Sequence, residues 1–390
     1  MSSRHQNIYL DHSATTPLDS RVQSVIEDCF ASNFGNASSI HSYGRTAKVI
    51  LEESRETVAT ALGAENSELF FTSGGTESDN QALIGVALAH RRISKKNHII
   101  VSSIEHHAVL DCCEYLKEEG FIVSYVPVSS HGVIDVPALE KMITPKTCLI
   151  SVMHANNETG IIQPLREVSE IGKKHGIAVH SDAVQTFGKI DVNVHDLNVD
   201  LLSVSAHKTY GPKGIGALFI RKGTEIDALL HGGSQERNNR AGTENVPLIA
   251  GFAKAVSLSE SERPKNYDHV SKLWNHLHET ITGSLEGIVV NSDMKRGLSY
   301  IFSISLDSRF YEVETETLLL NMDMLGVAVS SGSACTSGSI QPSHVLTAMG
   351  RDKKTTQATI RFSFGKGNTM REVKKAGELF CSVAQRFRRA

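Results

Sequence analysis

Through the middle of the chain, short β-branched or apolar runs alternate with stretches whose apolar residues recur every three or four positions. The runs Glu68 to Thr72, His98 to Ser102, Ile122 to Val126, Cys148 to Met153, Ile177 to His180, Leu201 to Ser205 and Gly216 to Ile220 predict strands. Between them, Ser78 to His90, His107 to Glu118, Val136 to Met142 and Leu165 to His175 predict amphipathic helices. Strands that alternate with helices pair in parallel, because each parallel connection must cross over the sheet and the helix supplies the crossover. The pattern therefore predicts a seven-strand α/β domain over residues 15–260. A polar stretch, Ser257 to Asp268, with Arg263-Pro264-Lys265 inside it, is expected to break the chain there. A helix from Val270 to Ser284 and a further set of strands then predict a smaller α/β domain in the C-terminal third.

Composition narrows the function classes. A 40% hydrophobic fraction with 21% charged residues describes a folded globular chain rather than a disordered one. With 40 basic residues against 43 acidic, the formal charge of -3 offers no global field for nucleic acid or an anionic membrane. Apolar runs such as Ile99 to Val101 fall far short of the ~20 residues that span a bilayer. The opening Met1 to Leu10 reaches Ile8-Tyr9-Leu10 without the basic and apolar regions of a secretory signal. Cys29, Cys112, Cys113, Cys148, Cys335 and Cys381 form no CxxC pair, so reduced thiols and a cytoplasmic location are expected and no metal site is. Function must then rest on local sites.

Three segments carry candidate chemistry. Thr72-Ser73-Gly74-Gly75-Thr76-Glu77-Ser78-Asp79 follows a strand and opens a helix, where glycines allow close approach and free N–H groups favour an anion. Taken alone it is equally a tight strand-to-helix turn. In His180-Ser181-Asp182-Ala183-Val184-Gln185, Asp182 follows a strand at the edge where open sheets bind ligands, although it could simply cap the next helix. Ser205-Ala206-His207-Lys208-Thr209-Tyr210-Gly211-Pro212 sets Lys208 at the same edge, with a solvated lysine as the alternative. A Schiff-base lysine, an aspartate that keeps a pyridine nitrogen protonated and a phosphate cup together are what pyridoxal 5′-phosphate requires.

Eight motifs in order then resemble a known family. They are Ile8 to Pro17 (IYLDHSATTP), Thr72 to Asn80 (TSGGTESDN), Glu105 to His107, Met153 to Gly160 (MHANNETG), Ser181 to Gln185, Ser205 to Gly216 (SAHKTYGPKGIG), Arg240 to Val246 (RAGTENV) and Ser330 to Ser337 (SSGSACTS). The chain is similar, over nearly its whole length, to the cysteine desulfurases of the nitrogen-fixation and iron-sulfur-assembly group, class V members of the aspartate aminotransferase fold (fold type I). The resemblance implies a large cofactor domain at 15–260, and a small domain, 1–14 with 261–390, carrying the Cys335 loop. It implies that Lys208 bonds the cofactor, Asp182 pairs with the pyridinium nitrogen, Gln185 meets the phenolic oxygen and His106 stacks on the ring. Gly75, Thr76, Ser205 and His207 would hold the phosphate, with Thr243 added from the other subunit of a homodimer. Asn157 would lie beside cofactor and substrate, and Arg361 would fork onto the substrate carboxylate. In isolation, His106 reads as a packed core histidine and Arg361 as a surface ion pair.

Cys335 stands in a run of small residues, Val329 to Ser339, that cannot build a core and so reads as a loop presenting a thiol. The implied activity takes sulfur from L-cysteine, leaving L-alanine and a persulfide on Cys335. An acceptor such as an iron-sulfur scaffold would then collect the sulfur. A selenocysteine lyase or another class V aminotransferase is the rival reading, and a plain aminotransferase has no use for the thiol loop.

Overall fold

The computed structural model of the protein describes residues 7–332 and 342–389. Its strands are, in chain order, β1 (Ile8–Tyr9), β2 (Leu69–Thr72), β3 (His98–Ser102), β4 (Ile122–Val126), β5 (Thr147–Ser151) and β6 (Ala178–Asp182). They continue as β7 (Leu201–Ser205), β8 (Gly216–Ile220), β9 (Ile288–Val290), β10 (Ile301–Leu306), β11 (Val327–Ala328) and β12 (Thr359–Ser363). Seven of them form one sheet in the order β2-β8-β7-β6-β5-β3-β4. All neighbours in it are parallel except β8, which runs antiparallel to both β2 and β7. Every residue of β2, β3, β5, β7 and β8 is buried, which is why these runs are continuously apolar rather than alternating.

Two boundaries differ from the sequence expectation in ways that shape the site. The first helix after β2 spans Gly75–Ser94 instead of opening at Ser78, so Gly75 and Thr76 lie in its first turn. Gly75 has to be glycine, since a Cβ there would meet Val184 Cγ2 at 2.8 Å. β6 runs on to Asp182, which still pairs in register with Ser203 of β7. Asp182 is therefore the last residue of a central strand and caps no helix.

The break expected at Ser257 to Asp268 does not occur. One 39-residue helix, Val246–Ser284, runs through Pro264. A proline inside a helix costs about 3 kcal/mol, and burial on both sides of it outweighs that. Ile249, Phe252, Ala253 and Val256 enter the core beneath the large sheet. Val270, Leu273, Trp274, Leu277 and Ile281 enter a second core, and a fully buried large apolar side chain contributes roughly 1.5–3 kcal/mol. That second core sits on an antiparallel sheet of order β12-β10-β9. The N-terminal segment joins it, because β1 pairs with β11 and Leu10 is fully buried among the same side chains.

Candidate active site

The carboxyl ends of β2, β3, β6 and β7 deliver the expected residues to one edge of the large sheet, where open α/β sheets bind ligands. β7 ends on Ser205 and turns through a single 3-10 turn, Ala206–Lys208. Lys208 Nζ donates to the carbonyl oxygens of Ser13 and Ala14, the second at 2.7 Å. Burial and the Arg361 charge bring this amine down to about 8. The carboxylate of Asp182 is buried, and its Oδ1 accepts from the Val184 amide at 2.8 Å. Burial, reinforced by the neighbouring Asp79 carboxyl, pushes Asp182 up to about 7. Gln185 Nε2 donates to Ser13 O at 3.0 Å, so one carbonyl gathers both Gln185 and Lys208.

The glycine turn forms a cup. Gly74 has φ +152°, and a Cβ built there would find Ser205 Oγ, at 3.9 Å, as its one neighbour within 4 Å among the described residues. The side chain that glycine lacks leaves room between Ser205 and the N-terminus of the helix Gly75–Ser94, where free N–H groups favour an anion. His207 flanks this region with Nδ1 3.2 Å from Thr15 Oγ1, and burial beside Lys208 holds it at about 4, hence neutral. Thr76 and His106 face a common cleft. His106 is the N-cap of the helix His107–Glu118, and its Nδ1 accepts from the Ala108 amide at 3.1 Å. Desolvation pushes its imidazole below the ordinary histidine range. With Nδ1 taken as an acceptor, the ring proton of the neutral form lies on Nε2.

Arg361, in β12, is buried rather than exposed. Nη1 donates to Asn157 O at 2.7 Å, and Nη2 to Asp11 Oδ1 at 2.9 Å and Ser330 Oγ at 2.7 Å. The guanidinium thus joins the Asn157 segment to the second sheet, and the surface ion pair read in isolation is in fact a buried one. Thr243 is exposed on the 231–245 loop. That loop is tied to the cup helix by Arg240 Nε to Glu77 Oε1 at 2.9 Å and Gln81 Nε2 to Asn239 O at 2.8 Å. Cys335 lies outside the described residues. The described residues on either side of it reach the site: Ser330 bridges Arg361, and Ser343 Oγ donates to Glu158 Oε2 at 2.5 Å.

Sequence reasoning passed over several supporting groups. Below the sheet edge, His180 bonds Ser151 Oγ at 2.8 Å and Ser203 Oγ at 3.0 Å and sits 3.5 Å from Asp79 Oδ1. Burial raises Asp79 to about 7 and Glu105 to about 8, and lowers His180 to about 4, so desolvation disfavours charge throughout this layer. Lys189 is buried behind Gln185, and Glu236 is buried against Arg55. Asp79 and Glu105 stand inside quoted motifs, which was the available signal. Lys189 and Glu236 gave none.

Comparison with known proteins agrees with this fold. The model of the family described as aminotransferase class-V matches residues 8–376. The cysteine desulfurase IscS of Dictyoglomus turgidum is 45% identical over 383 residues, covering 98% of this chain and 96% of its own. A solved NifS-like protein superposes with a TM-score of 0.90 at 39% identity, covering 98% of this chain and 100% of its own. SspA, solved in complex with cysteine, gives a TM-score of 0.79 at 34% identity over 93% of this chain and 100% of its own. The chain belongs to the aminotransferase class-V family and, within it, to the cysteine desulfurases.

Proposed function

We propose that this site takes the sulfur of L-cysteine onto Cys335 and releases L-alanine, with pyridoxal 5′-phosphate held between Lys208 and Asp182. The observation that carries the reading is the convergence of a partly neutral lysine, a buried aspartate and an open glycine cup on one sheet edge. These residues fit the cofactor. Lys208 would bond its aldehyde carbon, Asp182 its ring nitrogen and Gln185 its phenolic oxygen, with His106 against the ring. Gly75, Thr76, Ser205 and His207 would hold the phosphate, together with Thr243 of the partner subunit. The raised Asp182 supports the assignment, because a cation brought against a buried carboxylate offsets its desolvation and draws it back to the charged form.

When bound, pyridoxal phosphate supplies a protonated ring that stores the electrons freed at the substrate's Cα. Lys208, at about 8, is partly uncharged near neutral pH and can take the Cα proton. Arg361 orients the substrate carboxylate, which must exchange with Asp11 or Ser330 for the guanidinium. Asn157 is fixed beside it through its own carbonyl. His106 carries its proton on Nε2 and can donate a hydrogen bond from it to the substrate. The Cys335 thiolate attacks the substrate sulfur, the Cβ–S bond breaks, and the sulfur remains on Cys335 as a persulfide while the three-carbon remainder leaves, once protonated, as alanine. The other five cysteines are buried, and desolvation raises their thiols above the ordinary range, Cys148 to about 11 and Cys112 to about 12. That supports Cys335 as the acceptor.

The same reading divides the chain into a cofactor domain at 15–260 and a small domain at 1–14 and 261–390, supported by the two separate cores. It includes a homodimer, an iron-sulfur scaffold or similar protein as sulfur acceptor, and a cytoplasmic setting that suits five unpaired thiols. No described helix is long and apolar enough to cross a membrane. The test is one turnover of L-cysteine by the purified holoenzyme, followed by mass spectrometry of the protein. We expect one sulfur on the peptide containing Cys335, and in Cys335→Ser no persulfide with the cofactor's visible absorbance retained. Alanine and persulfide formed by Cys335→Ser at the wild-type rate would remove Cys335 from the reaction.

A further inference from the structure

Lys189 is an unused buried cation. Its side chain lies behind Gln185, 6% exposed, and desolvation with the charges of Lys208 and Arg361 lowers it to about 7. A lysine in such a place needs an acceptor, since burying an ammonium without one is costly. Among the described residues its Nζ has one hydrogen-bond acceptor, Gln185 Oε1 at 3.1 Å. Among the described residues no other titratable group is hydrogen-bonded to it, and the face of the Tyr300 ring lies 5.6 Å from Nζ. His12, Tyr210, Tyr300, Glu262 and Lys366 share a narrow cavity with it. Desolvation keeps His12 neutral at about 4 and raises the two phenols, while Glu262 is paired with Arg21 at 2.7 Å and Lys366 at 3.1 Å.

The consequence falls on the Gln185 amide. Its oxygen is held by Lys189 from behind, and one of its two N–H bonds is held by Ser13 O at 3.0 Å in front. An amide fixed at both ends cannot flip, and its second N–H remains available as a donor. We propose that Lys189 is a positioning residue of the cofactor site: by holding Oε1 of Gln185 it keeps the amide N–H turned to the cofactor's phenolic oxygen. This rests on the assignment of Gln185 to that oxygen made above.

The test is a double-mutant cycle on the holoenzyme, read as the pH midpoint at which the visible absorbance of bound pyridoxal phosphate changes. A donor to the phenolic oxygen favours its negative charge, so removing the donor raises the midpoint. Gln185→Ala should raise it by about 1 to 2 pH units, the size expected for a hydrogen bond to a charged atom. Lys189→Met should shift it in the same direction by about half that or more. The double variant should match Gln185→Ala within about 0.3 unit, because Lys189 then has nothing left to position. Should Lys189→Met fail to take up cofactor, Lys189→Arg carries the test: it keeps the donor and should stay near the wild-type midpoint. A Lys189→Met shift that persists in full on the Gln185→Ala background, an unchanged midpoint in Lys189→Met, or a Lys189→Arg shift as large as that of Gln185→Ala would overturn the inference. An unmoved midpoint in Gln185→Ala would instead overturn the Gln185 assignment, and a wild type without a visible band would overturn the cofactor reading itself.

Discussion

Removing the Glu236 carboxylate should loosen both the 231–245 loop and strand β2, and the size of the effect follows from its contacts. Glu236 and Arg55 have side chains 2% and 3% exposed and form two parallel bonds of 2.7 Å. Glu236 Oε2 also accepts from the Phe71 amide in β2 at 2.9 Å. The loop needs this anchor, because Glu236, Arg237 and Asn238 stand at φ +43°, +54° and +67°. Each such non-glycine conformation costs about 1–3 kcal/mol and persists only where its surroundings enforce it. Glu236→Ala leaves the Arg55 guanidinium buried with Leu69 O, a 3.4 Å contact to Glu52 and the Phe71 ring 4.9 Å away as its remaining partners. Breaking a buried pair in this way costs about 3–5 kcal/mol. Amide exchange in the peptides covering 69–72 and 231–245 should then accelerate by about two to nearly four powers of ten, at ~1.4 kcal/mol for each tenfold. Hydrogen exchange with mass spectrometry reads this directly. The double variant Arg55→Met with Glu236→Ala removes the stranded charge and should regain part of the lost protection. An acceleration under about tenfold in Glu236→Ala, or a double variant worse than the single, would refute the assignment of the anchor.

Three further outcomes are expected. Turnover of L-cysteine at saturation should rise about tenfold per pH unit below pH 8 and level off above it, since the Lys208 amine must lose its proton to act as a base and is held at about 8; a flat profile between pH 6 and 8 would remove Lys208 from that step. Gly216→Ala would place a Cβ 2.6 Å from Val204 O and 2.8 Å from Gly74 Cα, pushing the cup out of shape, so cofactor affinity measured by absorbance titration should fall at least about tenfold, a loss of ~1.4 kcal/mol, and unchanged affinity would count against the cup. For Thr243, a hybrid dimer of one Lys208→Ala chain and one Thr243→Ala chain, assayed at limiting cofactor, should be more active than either parent, because action in trans gathers both lesions in one site; a hybrid no better than its parents would return Thr243 to its own subunit.

The central strands were legible because burial on both faces makes them continuous apolar runs. The end of β6 was not. The expected strand ends at His180, and the polar Ser181 and Asp182 beyond it read as a turn, yet both are buried and pair in register with Leu202 and Ser203 of β7. Those partners come from other segments, so no pattern within β6 announces them. The long helix was hidden for a related reason. Pro264 and the polar residues around it describe a local break correctly as far as propensity goes, and only the two cores on either side of the proline, contributed by distant strands, carry the helix through.

The same division runs through the site. Gly75, Asp182 and Lys208 were legible because a residue at the end of a strand is delivered by a local turn, and a local turn leaves a local signature in glycines and small polar residues. Lys189 and Glu236 do their work through a partner instead. Glu236 acts on Arg55, 181 positions away, and on Phe71, 165 positions away. Lys189 is four positions from Gln185, but no regular helix joins the two to give that spacing meaning. A charged residue without its partner looks like a solvated one, and most charged residues are solvated. What turns these two into parts of the site is burial, and burial is decided by the whole fold. Motifs therefore name the groups delivered to the sheet edge, while the groups that hold those in place become visible once the chain is folded and each buried charge must be matched with an acceptor.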